Sequence, residues 1–176
     1  TSLTQTFLFC SSLTYLDVSN WNTSKVTSLY RTFHNCRSLT TLDVSNWNTY
    51  NVTSLYGTFL ECVNLTSLNL SNWRGDKITN AVHAFKWCNN LTTITPGLYN
   101  LGKNFTSFTT NNSAGCLDFS SSILTPTSVM NLVNSFYNLT AAGYNHQNIR
   151  LNSATYNNLS NDQITQAQAK GWYLYA

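Results

Sequence analysis

The sequence predicts an α/β chain wound as a right-handed solenoid, with one short parallel strand in each 26-residue coil and an α/β cap at its C-terminal end. Three observations carry that prediction. Residue types recur at a period of 26, the apolar spacing changes character within each period, and each period closes on a run of Ser, Asn and Thr. A repeat of this length marks units that cannot bury their apolar side alone and must stack to make a core.

The recurrence runs through several columns. Phe7, Phe33, Phe59 and Phe85 form one, Cys10, Cys36, Cys62 and Cys88 another, and Leu13, Leu39, Leu65 and Leu91 a third. Leu16, Leu42, Leu68 and Ile94 follow, then Trp21, Trp47 and Trp73, and Val26, Val52 and Ile78. Inside one unit, Val26, Leu29, Phe33, Cys36 and Leu39 step by three and four, the stripe of a short helix or of successive helical turns. Leu42 and Val44 then alternate with Asp43 and Ser45, which is the period of a strand. Ser45-Asn46-Trp47-Asn48-Thr49 turns the chain, because short polar side chains bond their own backbone.

The segments Phe33 to Trp47 (FHNCRSLTTLDVSNW) and Phe59 to Trp73 (FLECVNLTSLNLSNW) resemble BspA-like leucine-rich repeats. More closely they are similar to the repeats of about 25 residues in bacterial surface proteins and in phage and prophage tail proteins. The resemblance covers residues 1–95. It implies a leucine-rich-repeat solenoid on a bacterial cell surface or phage virion, with an extracellular adhesion role, and it brings no catalytic residue with it.

The register fails after Ile94, where Pro96-Gly97 breaks the chain. Residues 96–116 read as an irregular insertion anchored by Phe105 and Phe108, and 117–176 as degenerate final repeats and a cap, the whole forming one continuous domain. Leu117-Asp118-Phe119-Ser120 restores the strand motif. Thr125-Pro126 opens a helix whose apolar face is Val129, Leu132, Val133, Phe136 and Leu139, ending at Ala141-Ala142-Gly143. Asn148 to Asn152 alternates like a strand. Ser160 and Gln163 have capping-box spacing for a helix that Gly171 stops, and Trp172 to Tyr175 closes as a strand.

Composition narrows the function. Of 176 residues, 9% are charged, while 25 Asn, 20 Ser and 25 Thr fill the polar positions. The net charge of +3 comes from scattered basic residues, which argues against a nucleic-acid partner. No apolar run suits a membrane span. The chain opens at Thr1 rather than Met, which reads as a processed product or a piece of something longer.

No nucleophile elbow, HExxH or phosphate loop is present, so the expectation is no enzyme and no cofactor. The cysteines lack the paired spacing of a zinc site and read as a buried, reduced thiol ladder, with Cys116 out of period. Asp17, Asp43 and Asn69 share a column but offer too few oxygens for calcium, so no metal is expected.

The candidate binding surface is the outward face of the strand segments. It comprises Tyr15, Thr41 and Ser67, then Asp17, Asp43 and Asn69, then Ser19, Ser45 and Ser71. Those groups suit hydrogen bonding to a host-cell glycan or surface protein. The alternative is a structural virion or cell-wall subunit whose coils pack against neighbouring subunits. Inward Leu16, Val18, Leu42 and Val44 are expected to be committed to the core.

Overall fold

Each 26-residue unit lies against the next through its backbone. The computed structural model describes residues 1–105 and 117–176, so the expectations for Phe108, Cys116 and the rest of 106–116 lie outside the described residues. Ser2, Ser28, Ser54 and Asn80 pair in parallel, one from each successive unit. Beyond each bridge, alternate N–H groups cross to the following unit. Leu29 donates to Ser54, Arg31 to Tyr56, Phe33 to Thr58 and Asn35 to Leu60, at 2.8–3.0 Å. The intervening N–H groups turn back locally, Thr32 to Leu29, His34 to Arg31 and Cys36 to Phe33.

That alternation corrects the helical reading of the three-and-four stripe. A helix directs every N–H along its own axis, whereas here half of them go sideways. The segment is therefore a run of tight turns. Two positions per unit take positive φ: Arg31 (50°) and Asn35 (65°), with Gln5 and Phe9, Gly57 and Glu61, and His83 and Trp87 in the same columns. Left-handed conformation costs a non-glycine residue roughly 1–2 kcal/mol, and the cross-unit hydrogen bonds offset it.

The turns aim one apolar side inward. Phe33, Phe59, Phe85, Leu39, Leu65, Leu91, Cys36, Cys62 and Cys88 are buried in one continuous core. Phe7, Phe33, Phe59, Phe85 and Phe119 stack in file with centroids 5.0–5.7 Å apart. Trp21, Trp47 and Trp73 form a second file at 6.2 Å.

Strands are shorter and fewer than the sequence predicts. β1 (Ser67–Leu68) and β2 (Thr93–Ile94) pair in parallel. No strand forms at Leu16 or Leu42, and no backbone hydrogen bond joins 14–17 to 40–43 or 41–43 to 67–69. Those segments flank an open groove instead of building a ladder.

Past Ile94 the stack continues one residue out of register. Tyr99 bridges Arg74 in parallel, and Leu98 and Leu101 are fully buried. Gly97 lies so close to Leu70 that a Cβ there would sit 1.9 Å from the Leu70 carbonyl oxygen.

β3 (Leu117–Phe119), β4 (Gln147–Leu151) and β5 (Trp172–Tyr175) form a parallel sheet in that order. Phe119 covers Phe85, and Ser122 Oγ, Ile123 N and Thr125 N donate to the carbonyls of Cys88, Leu91 and Thr92. These bonds seat the sheet on the fourth unit.

Helix α1 (Pro126–Ser135) is capped by Thr125, whose side chain accepts from Ser128 N. It ends at Phe136 rather than at 141–143, because Phe136 is extended and Tyr137 N and Leu139 N bond Leu101 O and Lys170 O. A short helix α2 (Ser153–Asn157), capped by Asn152, was not legible in the sequence. Helix α3 (Asn161–Ala169) carries the expected Ser160/Gln163 capping box and stops before Gly171, at φ 83°. No helix among the described residues is long and apolar enough to cross a membrane.

Candidate functional site

The missing ladder between the first three units leaves a groove of about 470 Å³. It is lined by Tyr15, Asp17, Ser19, Thr41, Asp43, Ser45, Ser67 and Asn69, with Leu16 and Leu42 as its apolar floor. The structure thus gathers eight of the nine residues that the sequence assigns to a binding surface. Ser71 lies outside the lining, its N–H held by Asn69 Oδ1 at 3.1 Å. Leu42, Val18 and Val44 are buried in the core as expected, whereas Leu16 is only partly buried. Leu16 and Leu42 both border the groove.

The D-x-S motif sets the local geometry. Asp17 Oδ1 accepts from Ser19 N at 3.0 Å and Ser19 Oγ at 2.6 Å. Asp43 Oδ1 accepts from Ser45 N at 3.0 Å and Ser45 Oγ at 2.7 Å. These turns hold the Ser19 and Ser45 hydroxyls as donors, and they pull both carboxyls below the usual carboxylate range. Both side chains are therefore ionised at neutral pH. Oδ2 of each makes no hydrogen bond within the described residues, so it is available as an acceptor.

In the third unit Asn69 replaces the aspartate, and its Oδ1 accepts from Thr95 Oγ1 at 2.9 Å. Tyr15 stands at one end of the groove with 73% of its surface exposed. Chemically the arrangement is a row of acceptors and hydroxyls beside one exposed aromatic ring. No His or Cys lines it.

The thiols occupy different ground. Cys36, Cys62 and Cys88 donate Sγ–H to the carbonyls of Phe7, Phe33 and Phe59 at 3.0–3.2 Å. Burial pushes the Cys36 and Cys88 thiols up to about 12 and raises Cys62 as well. All three are buried and free, whereas Cys10 is only half-buried. Among the described residues no group of three His, Cys, Asp or Glu could hold a metal ion.

A second polar cluster, on the turn columns, was not singled out from sequence. Glu61 accepts from Asn35 Nδ2 at 2.8 Å, pairs with Arg37, and lies 3.5 Å from His34 Nε2. Its partners all come from the preceding unit, so it acts as a bracket between units. The positive-φ column containing Asn35 and Glu61 is its signal, and nothing in residue type marks that column.

A family model described as "Mycoplasma protein of unknown function, DUF285" matches residues 1–123, and the chain belongs to that family. The match takes in the stacked units and β3, and stops ahead of α1. No curated protein and no solved structure matches the chain.

Proposed function

We propose that the chain is an extracellular recognition module of a bacterial surface or phage tail protein, which holds a host-cell glycan in the groove without catalysing a reaction. On this reading the stacked units form a right-handed leucine-rich-repeat solenoid, and residues 117–176 are its C-terminal cap. The observation that carries the proposal is the groove itself. Its volume falls in the range of about 300–1,000 Å³ of small-ligand sites, and its lining is chosen from hydroxyls, carboxylates and one exposed tyrosine ring.

A sugar presents hydroxyl donors to carboxylate oxygens and an apolar face to an aromatic ring, which is what Asp17, Asp43 and Tyr15 offer. Charge-assisted hydrogen bonds are about twice as strong as neutral ones. The unpaired backbone of 15–17 and 41–43 adds groups that an extended ligand can also engage.

The test is a glycan-array screen, followed by the Tyr15→Ala/Asp43→Ala double variant on whatever binds. Both side chains are exposed, so the thermal midpoint should hardly move. Affinity should fall about tenfold or more, the loss of roughly 1.4 kcal/mol. Unaltered affinity in that variant would move the site off the groove.

A further inference from the structure

We infer that the turn columns carry a docking surface for an acidic segment of a protein partner, centred on the Arg31 guanidinium and flanked by Tyr30, Tyr56 and His83. Tyr30 and Tyr56 stand one period apart, and Gly57 stands one period after Arg31. The two tyrosine rings stack with centroids 5.1 Å apart and planes 13° from parallel. Arg31 Cζ lies 5.4 Å from one centroid and 5.5 Å from the other, so the cation spans the pair. Gly57 makes room for it, because a Cβ there would sit 3.2 Å from Arg31 Cγ. Its φ of 59° suits a glycine as well. Tyr56 in turn meets His83 edge-on at 5.7 Å, which carries the strip across a third unit.

The polar groups of this strip are left without partners. Among the described residues the Arg31 guanidinium makes no hydrogen bond or ion pair, and its Nε is buried. His83 Nδ1 is also buried and unpartnered, and the Tyr30 and Tyr56 hydroxyls make no hydrogen bond there. Elsewhere in the stack such groups are satisfied, as buried polar atoms generally are. The carboxylates that could answer Arg31 are held by others. Glu61 is taken by Asn35, Arg37 and His34, and Asp118 by Ser120 N and Lys86. An acceptor from outside the chain is what the strip lacks.

Charge and shape decide which acceptor. A guanidinium resting against aromatic rings keeps its outer edge for a two-pronged bond to a carboxylate. Burial keeps His83 neutral near neutral pH, so it adds a hydrogen bond but no second charge, which suits one carboxylate better than a doubly charged phosphate. All four side chains are half-buried, presenting a surface rather than a closed pocket. Tyrosine and arginine side by side are the residue types that carry most of the binding energy at protein interfaces. The occupant is therefore a peptide segment that offers Asp or Glu to Arg31.

The experiment pans a random-peptide library against the whole chain and maps each enriched peptide by amide-resolved NMR. Peptides that move the amides of 30–31, 56–57 and 83 should share an Asp or Glu. Replacing that residue by Asn or Gln in a synthetic, end-capped copy should weaken binding about tenfold or more. Arg31→Gln should do the same, and Tyr56→Phe, which keeps the ring stack and removes one hydroxyl, should weaken binding at an unchanged thermal midpoint. The second variant decides the matter if the first does not fold. Peptides that map to the strip but share no acid, or that bind both variants as tightly as the native chain, would overturn the inference. So would glucuronate moving these amides while no peptide does, a result that would assign the strip to an acidic sugar.

Discussion

In the second and third units a threonine, a cysteine and a tryptophan meet the same requirement, that a buried polar group must find a partner. Thr58 Oγ1 bonds Leu29 O, Cys62 Sγ bonds Phe33 O and Trp73 Nε1 bonds Val44 O, each one unit back. This is why those residue types recur, and why their columns are plain in the sequence. The histidines are less legible, because His34 and His83 fall in different columns. In the structure burial lowers the pKa of both from the ordinary 6.5, outweighing the pull of Glu61 on His34, while Lys86 lowers His83 further. Both are therefore neutral when folded near neutral pH. Between the lowered folded values and 6.5 the unfolded chain binds more protons, so stability falls as the pH drops through 6.5 and levels off below the folded values. Urea denaturation should show less stability at about pH 5.5 than at about pH 7.5, a window above the usual carboxylate range. The His34→Gln/His83→Gln variant should lose most of that slope, and an undiminished slope would place its cause elsewhere.

At the scale of elements, apolar spacing identifies the buried side but not the backbone that produces it. Steps of three and four suit a helix and a chain of tight turns equally. The distinguishing feature is the pair of left-handed columns, filled by Gln5, Arg31, Gly57 and His83, and by Phe9, Asn35, Glu61 and Trp87. Only one glycine stands among the eight, so residue type gives no warning, and the conformation is imposed by hydrogen bonds to the adjacent unit. Helices α1 and α3 were legible because their signals are local: Thr125 with Pro126, and Ser160 with Gln163. The continuation through 96–105 was hidden by a one-residue change of register, which carries Arg74 onto Tyr99. Gly97 marks that junction. Its Cα hydrogen cannot be replaced by a side chain without displacing Leu70, whose carbonyl carbon is 2.5 Å from the position a Cβ would take. Gly97→Ala should therefore cost at least about 2 kcal/mol, measured by chemical denaturation, and a near-neutral result would show that this approach is not rigid.

At the scale of the molecule, the stack uses its inward side for cohesion and leaves one polar face unpaired. Ladders of hydrogen bonds run between units along the turn segments, and β1 pairs with β2, yet among the described residues nothing bridges the backbone at 15–17 and 41–43. The columns of that face were legible because side chains alternate along an extended segment. The groove between them was not, since it depends on strands that fail to pair. Recognition through this groove is the central claim, and amide-resolved NMR during titration with the oligosaccharides selected on the array tests it most directly. The expected result is shifts clustered at Tyr15–Ser19, Thr41–Ser45 and Ser67–Asn69, with the turn segment 29–36 unmoved. Shifts centred on the opposite columns of Phe9, Glu61 and Trp87, with the groove amides silent, would contradict it.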